Sequence, residues 1–225
     1  MVHGAGGGAW EFDFWRSSFE KRGWNVVCHD LMPNRAGIAA TSLSDYVAQV
    51  EGWVTPERSS VLVGASMGGA LALLAAQHLN PRALVLVNSI VPAPWAQPTE
   101  RGSRELPDVL RWAGTSLERT ARAMPDSTAD VHRWASERWR DESGKVMSEL
   151  RSSFRAAKLP CRTLFVVAEE DRDVPASQQL AWASAWDSQV LLYPGMSHVG
   201  PLLGTMSNKV AHDVLQWLDE SDDAT

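Results

Sequence analysis

Residues 61–69, VLVGASMGG, constrain the fold more than any other stretch of the chain. An apolar, β-branched run without polar alternation ends in a serine fenced by glycines, and the run ALALLAAQHL follows at once. The first run reads as a short buried strand. The second is rich in strong helix formers and is stopped by Asn80-Pro81. Between them Gly64-Ala-Ser66-Met-Gly68 fits G-x-S-x-G, the pattern of a strained strand–turn–helix with an exposed serine hydroxyl. Glycines two before and two after let the strand and the helix pass close without a Cβ clash. The helix start turns its positive end toward the serine, where an oxyanion would be stabilised. A glycine-rich turn with an incidental serine would not require the flanking strand and helix. Ser66 is therefore the candidate nucleophile.

The rest of the chain repeats the strand–helix alternation, which implies an α/β fold with a mostly parallel, doubly wound sheet. Strands are expected at 24–30 (WNVVCHD), 61–64, 83–89, 161–171 and 188–195, with helices at 42–54 (capped by Ser42 or Ser44), 70–79, 175–186 and 206–220. The rhythm breaks between 92 and 158, where proline-rich joints separate basic, tryptophan-bearing helical stretches at about 103–123, 128–142 and 145–157. An insertion between two strands of a parallel sheet reads as a cap over the strand ends, where such sheets bind ligands. The domain reading is a core of 1–91 and 159–225 and an all-helical cap of 92–158.

Bulk properties narrow the function. A chain of 225 residues is long enough for one well-buried α/β domain with an appendage. A net charge of −6 gives no electrostatic footprint for nucleic acid. No apolar run is long enough to span a membrane and no signal peptide opens the chain, so a cytoplasmic protein without a membrane partner is expected. Cys28 and Cys161 are too few for a disulfide framework or a zinc site. The acidic tail DESDDAT reads as frayed.

A serine hydroxyl needs a base, and the base needs an orienting group. The stretch VVAEEDRDVP ends a strand in acidic residues, and YPGMSHVGP ends the last strand with His198 in a glycine-bearing loop. The order Ser, Asp, His is the one expected on this kind of sheet. His29, His78, His132 and His212 lie at places where a histidine is a surface or packed residue. Among Glu169, Glu170, Asp171 and Asp173, a carboxylate just past the strand reaches the neighbouring loop best, which favours Asp171, with Asp173 as the alternative. The run HGAGGG at 3–8 exposes successive backbone N–H groups and suits an oxyanion hole. It lacks the lysine of a phosphate-binding loop, and neither a metal cluster nor a cofactor is indicated.

Taken together, HGAGGGAW, GASMGG, AEEDRDVP and GMSH resemble the α/β-hydrolase superfamily, and within it the capped serine esterases of the methylesterase and hydroxynitrile-lyase branch. The resemblance implies the α/β-hydrolase fold, with Ser66 as nucleophile, His198 as base and Asp171 as orienting acid. Asp171 holds the place of the aspartate in G-x-x-D-x-x-x-P, whose leading glycine is Ala168 here. The backbone N–H groups of Ala5 and Met67 would form the oxyanion hole, and His3 would pack the loop. Members of that superfamily set a central strand just ahead of the oxyanion loop. Here Met1-Val2-His3 opens directly on it, so either the sheet is abbreviated or the stretch given begins past the true start.

The expected reaction is cleavage of a small to medium apolar carboxylic ester, thioester or lactone through an acyl-enzyme. A lyase or C–C bond hydrolase on the same triad is the alternative, with Lys145 or Lys158 as a basic residue if the cap folds inward. A slow-turnover ligand sensor of the same fold is a third reading. Trp95, just past a strand end, is the residue best placed to line a substrate pocket, while Trp112 and Trp134 suit packing of the cap.

Overall fold

Apolar runs that lack polar alternation become strands buried on both faces. The computed structural model describes residues 1–54, 60–97 and 105–220. Its main sheet holds β1 (Val61–Ala65), β2 (Ala83–Val87), β5 (Arg162–Ala168) and β6 (Gln189–Tyr193), all parallel and in the spatial order β1-β2-β5-β6. Along β2 the side chains divide by the two-residue period of a strand. Leu84 and Leu86 join one core cluster, and Ala83, Val85 and Val87 join the other. The first cluster is covered by α2 (Leu43–Trp53), α3 (Met67–Leu79) and α7 (Ala176–Ala185). The second is covered by α1 (Asp13–Lys21), α8 (Gly200–Leu203) and α9 (Ser207–Asp219). Helices on both faces make the sheet doubly wound.

Local signals set the helix ends. Ser42, not Ser44, caps α2, in a reciprocal capping box with Asp45. Asn80 closes α3 in the left-handed conformation with φ 47°. Ser116, Thr128 and Ser143 cap α4 (Leu117–Ala123), α5 (Ala129–Ser136) and α6 (Gly144–Ser153).

Two expectations need correction. Residues 24–30 form no strand. Their bond toward the sheet is from the Met1 amine to the Val27 carbonyl, 2.7 Å. A groove of about 210 Å³, lined by Trp24, Val26, Val27, Leu62 and Val63 among others, separates the segment from β1. A segment without a hydrogen-bonded neighbour makes no ladder. The insertion, in turn, is not wholly helical. Its helices α4, α5 and α6 are shorter than the expected stretches, and β3 (Val109–Leu110) pairs antiparallel with β4 (Glu142–Ser143). Two-residue strands carry no periodicity that a sequence could display. Residues 103–104, at the start of the first expected stretch, and 221–225 of the acidic tail lie outside the described residues.

Among the described residues the insertion has no core of its own. Met124 and Ala135 belong to the cluster on one face of the sheet, and Val146, Leu150 and Phe154 to the cluster on the other. The segment is thus packed against the sheet domain at several points.

Candidate active site

At the end of β1 the chain turns through Ser66, with φ 52° and ψ −119°, directly into α3. A side chain in that region costs on the order of 1–3 kcal/mol unless its surroundings enforce it. Here they do. The Ser66 N–H donates to the Val87 carbonyl at 2.9 Å, and the Ser66 carbonyl accepts from the Ile90 N–H at 3.1 Å. A Cβ on Gly64 would collide with the backbone of Gly68, and one on Gly68 with the carbonyls of Val2 and His3. The two glycines that frame the serine are therefore demanded by close backbone approach. Met67, the first residue of α3, has an N–H without an acceptor among the described residues, as expected at a helix start.

The loops after β5 and β6 bring Asp171 and His198 together. Asp171 Oδ1 accepts the N–H groups of Asp173 and Val174, both at 2.8 Å, and Oδ2 accepts from His198 Nδ1 at 2.7 Å. The Asp171 side chain is fully buried and that of His198 is 13% exposed. With Nδ1 donating, the second ring nitrogen is left as the proton acceptor. Burial by itself pushes the His198 pKa down, but the Asp171 charge and hydrogen bond, with Asp173 and Glu11 nearby, outweigh it and hold the pKa above the usual value. Asp173 is exposed, and its carboxylate lies within 4.8 Å of the pair. Of the two candidate acids, Asp171 is the one bonded to the imidazole. Among the described residues no hydrogen bond joins Ser66 Oγ to His198.

Two residues hold this loop and were not legible in the sequence. Asn88, at φ 43° just after β2, donates from Nδ2 to the His198 carbonyl at 2.6 Å and accepts the Ala168 N–H at 2.8 Å. It ties the histidine loop to the end of β5. Asp126, from the insertion, accepts both the N–H of Ser197 at 2.9 Å and its hydroxyl at 2.5 Å. A tolerance for positive φ is the one signal that could have pointed to Asn88.

The glycine-rich loop enters beside β1, where Val2 pairs with Val63 and Ala65 through bonds of 2.8 and 3.0 Å. His3 is buried, and desolvation lowers its pKa to about 4. Its Nδ1 lies 2.8 Å from the Gly4 carbonyl, and its Nε2 accepts from the Leu31 N–H at 2.9 Å. It is a neutral packing residue, as its family counterpart implied. The Gly4 N–H donates to Glu11 Oε2 at 2.9 Å, and the Gly6 N–H donates to Glu142 Oε2 at 3.1 Å. Between them the Ala5 N–H has no acceptor among the described residues. The insertion presses on this loop. The Arg140 N–H donates to the Gly6 carbonyl at 2.7 Å, and a Cβ on Gly6 would collide with the Trp112 ring.

The other candidates make contacts of their own. Trp95 stacks on Trp182 with ring centroids 6.3 Å apart and meets Trp186 edge-on at 6.2 Å, so its ring contacts are with the core helix α7 and the residue that caps its C-terminus. Trp134 and Trp139 pack edge-on against Trp10, each at 5.0 Å. His78 pairs with Glu51 at the surface, His132 Nε2 lies 2.8 Å from the Met124 carbonyl, and His29 meets the Trp53 ring. Lys145 and Lys158 are both exposed. Cys28 and Cys161 are free thiols. Among the described residues no helix is long and apolar enough to cross a membrane.

The chain matches the model of the alpha/beta hydrolase family over residues 1–212. Tomato methylketone synthase I, in complex with 2-tridecanone, has a similar structure, with a TM-score of 0.76 at 16% identity over 97% of this chain and 96% of that one. A methylesterase from Arabidopsis gives 0.74 at 15% identity over 97% of both chains. A pyrethroid hydrolase from Sphingobium faniae JZ-2 gives 0.71 at 20% identity over 97% and 95%. At these identities the likeness is one of fold. No curated protein matches the chain.

Proposed function

Because this chain belongs to the alpha/beta hydrolase family, we propose that it is a serine hydrolase cleaving a small to medium apolar carboxylic ester, thioester or lactone through an acyl-enzyme. The observation that carries the reading is the buried Asp171–His198 hydrogen bond of 2.7 Å, set at the same end of the parallel sheet as the strained turn of Ser66. In the proposed reaction His198 Nε2 takes the Ser66 hydroxyl proton as Oγ attacks the carbonyl carbon. The oxyanion accepts from the N–H groups of Ala5 and Met67, neither of which has another acceptor among the described residues. Collapse passes the proton from His198 to the leaving oxygen or sulfur and leaves an ester on Ser66. Water, deprotonated by His198, then cleaves that ester and restores the serine. Asp171 holds the imidazole tautomer and stabilises the imidazolium. The steps use only the chain's own groups.

The lyase reading asks for a basic side chain turned into the pocket, and Lys145 and Lys158 are exposed. Ester cleavage is the better supported of the two.

The test is reaction with a fluorophosphonate probe beside turnover of p-nitrophenyl acetate, butyrate and octanoate. The wild type labels once per chain and shows a preference among the esters, whereas Ser66→Ala loses both properties and keeps its melting temperature. Labelling without turnover would favour the ligand-sensing reading. Full activity in Ser66→Ala would discard the elbow as the reaction centre.

A further inference from the structure

Outside the pair at His198, two other acidic side chains are buried against the site, Glu11 with 4% and Glu142 with 3% of its surface exposed. Neither forms a salt bridge among the described residues. A buried acid without a counter-ion is costly and calls for a structural reason. Both give an oxygen to the glycine-rich loop. Glu11 Oε2 takes the Gly4 N–H, and Glu142 Oε2 takes the Gly6 N–H. Glu142 Oε1 is itself fixed by the Tyr46 hydroxyl at 2.9 Å and by its neighbour's Ser143 N–H at 2.7 Å. Glu11 is held by shape, since a Cβ on Gly7 would overlap its carboxyl group. One residue between the two gripped N–H groups, Ala5 has an N–H with no acceptor.

We propose that Glu11 and Glu142 are positioning residues that hold the Gly4 and Gly6 N–H groups, one from the core and one from the insertion, and so keep the Ala5 N–H aimed at the acyl oxygen. The proposal rests on Ser66 being the nucleophile for its functional meaning, but the grip itself does not. A glycine-rich loop has several donors that could turn toward an anion, and a loop free to choose would be poorly preorganised. Engaging the alternate donors removes that choice. Because one grip comes from β4, the insertion takes part in ordering the loop as well as covering it. The groups facing Glu11 from neighbouring elements are His198 in the loop after β6, Glu142 on β4 and Cys28 in the 24–30 segment. Burial raises the Glu11 pKa to about 7, against the Gly4 hydrogen bond and the His198 charge, which favour its ionised form. Glu11 therefore gains its charge as pH rises through about 7, and the Gly4 N–H is the reporter of that change.

The experiment uses the full chain labelled with 15N, as wild type, Glu11→Gln, Glu11→Ala and Glu142→Gln. In the wild type the Gly4 amide proton shifts with pH about a midpoint near 7, and in Glu11→Gln it stays flat. Glu11→Gln keeps an acceptor oxygen, so it retains kcat/KM on p-nitrophenyl butyrate within roughly tenfold, with an altered acidic limb in the pH profile. Glu11→Ala frees the Gly4 N–H, and kcat falls by about 10²-fold with KM little changed, the order of loss for a misplaced oxyanion donor. A wild-type Gly4 amide that ignores pH, or a Glu11→Ala enzyme as active as wild type, overturns the proposal. If Glu11→Ala does not fold, the amide titration and the Glu11→Gln pH profile decide. If the wild type cleaves no ester but the Gly4 amide titrates as described, the grip stands and the hydrolase reading alone falls.

Discussion

At the residue scale the site turns on which groups are buried and what they face. Asp171 spends one oxygen on two backbone N–H groups and keeps the other for His198, so its direction is fixed before any substrate arrives. Asp173 is exposed and contributes charge. Asp171→Asn should lower kcat on a p-nitrophenyl ester by on the order of 10³- to 10⁴-fold, because the amide no longer enforces the reactive tautomer. Asp173→Asn should cost less than tenfold, and the reverse ranking would transfer the orienting role. In the proposed reaction His198 must be neutral to take a proton; its pKa is held above the usual 6.5, so kcat/KM should rise with pH through a midpoint above 6.5.

Two more residues of this region set the pH dependence of folding in opposite senses. His3 goes from 6.5 to about 4 on folding, so it contributes stability above 6.5 that is lost as pH falls toward 4. Glu11 goes from 4.5 to about 7, so its contribution is full below 4.5 and is lost as pH rises toward 7. Each shift is worth roughly 3 kcal/mol. Between about pH 4.5 and 6.5 the two nearly cancel. Melting curves of Glu11→Gln should therefore expose the His3 limb, with Tm falling as pH is lowered from 7 to 5 more steeply than in the wild type. Parallel pH profiles for the two proteins would contradict the opposed shifts.

At the scale of elements, the placement of tryptophan decides what the insertion's entrance does. Trp95 meets Trp182 of α7 and Trp186 at that helix's C-cap, and Phe165 of β5 completes the cluster. Aromatic contacts of this kind add to area burial. Trp95→Ala should lower Tm, and it should reduce kcat/KM by a similar factor for short and long p-nitrophenyl esters. A loss confined to long esters, with Tm unchanged, would return Trp95 to the pocket wall. Trp112, set against Gly6, brings a tryptophan of the insertion to the glycine-rich loop.

At the scale of the whole molecule, the insertion touches both working loops. Arg140 and Glu142 hold Gly6, and Asp126 holds Ser197, the residue before His198. Asp126→Ala should lower kcat by roughly tenfold or more with little change in KM, since a small displacement of the base is costly. Its Tm should fall as well, by the loss of two hydrogen bonds worth about 1 kcal/mol each. Unchanged kcat would mean that Asn88 alone, through its bond to the His198 carbonyl, fixes the base.

What the amino-acid order determines by itself is local. The strand into α3, the turn at Ser66, the glycines around it and the stop at Asn80 follow from steric and helix-forming preferences within a few residues. The alternation of elements likewise implies the parallel sheet, and a parallel sheet puts the loops bearing Ser66, Asp171 and His198 at one end. Tertiary structure decided the rest. Whether 24–30 pairs depends on a neighbouring chain, and there a groove intervenes. The choice of Asp171 over Asp173 depended on which carboxylate is buried beside the imidazole. Glu11 and Glu142 are 131 positions apart, and each looks like an ordinary acid in its own stretch. Their joint hold on the Gly4 and Gly6 N–H groups exists only where the insertion folds back on the start of the chain, because hydrogen-bond partners are set by proximity in space.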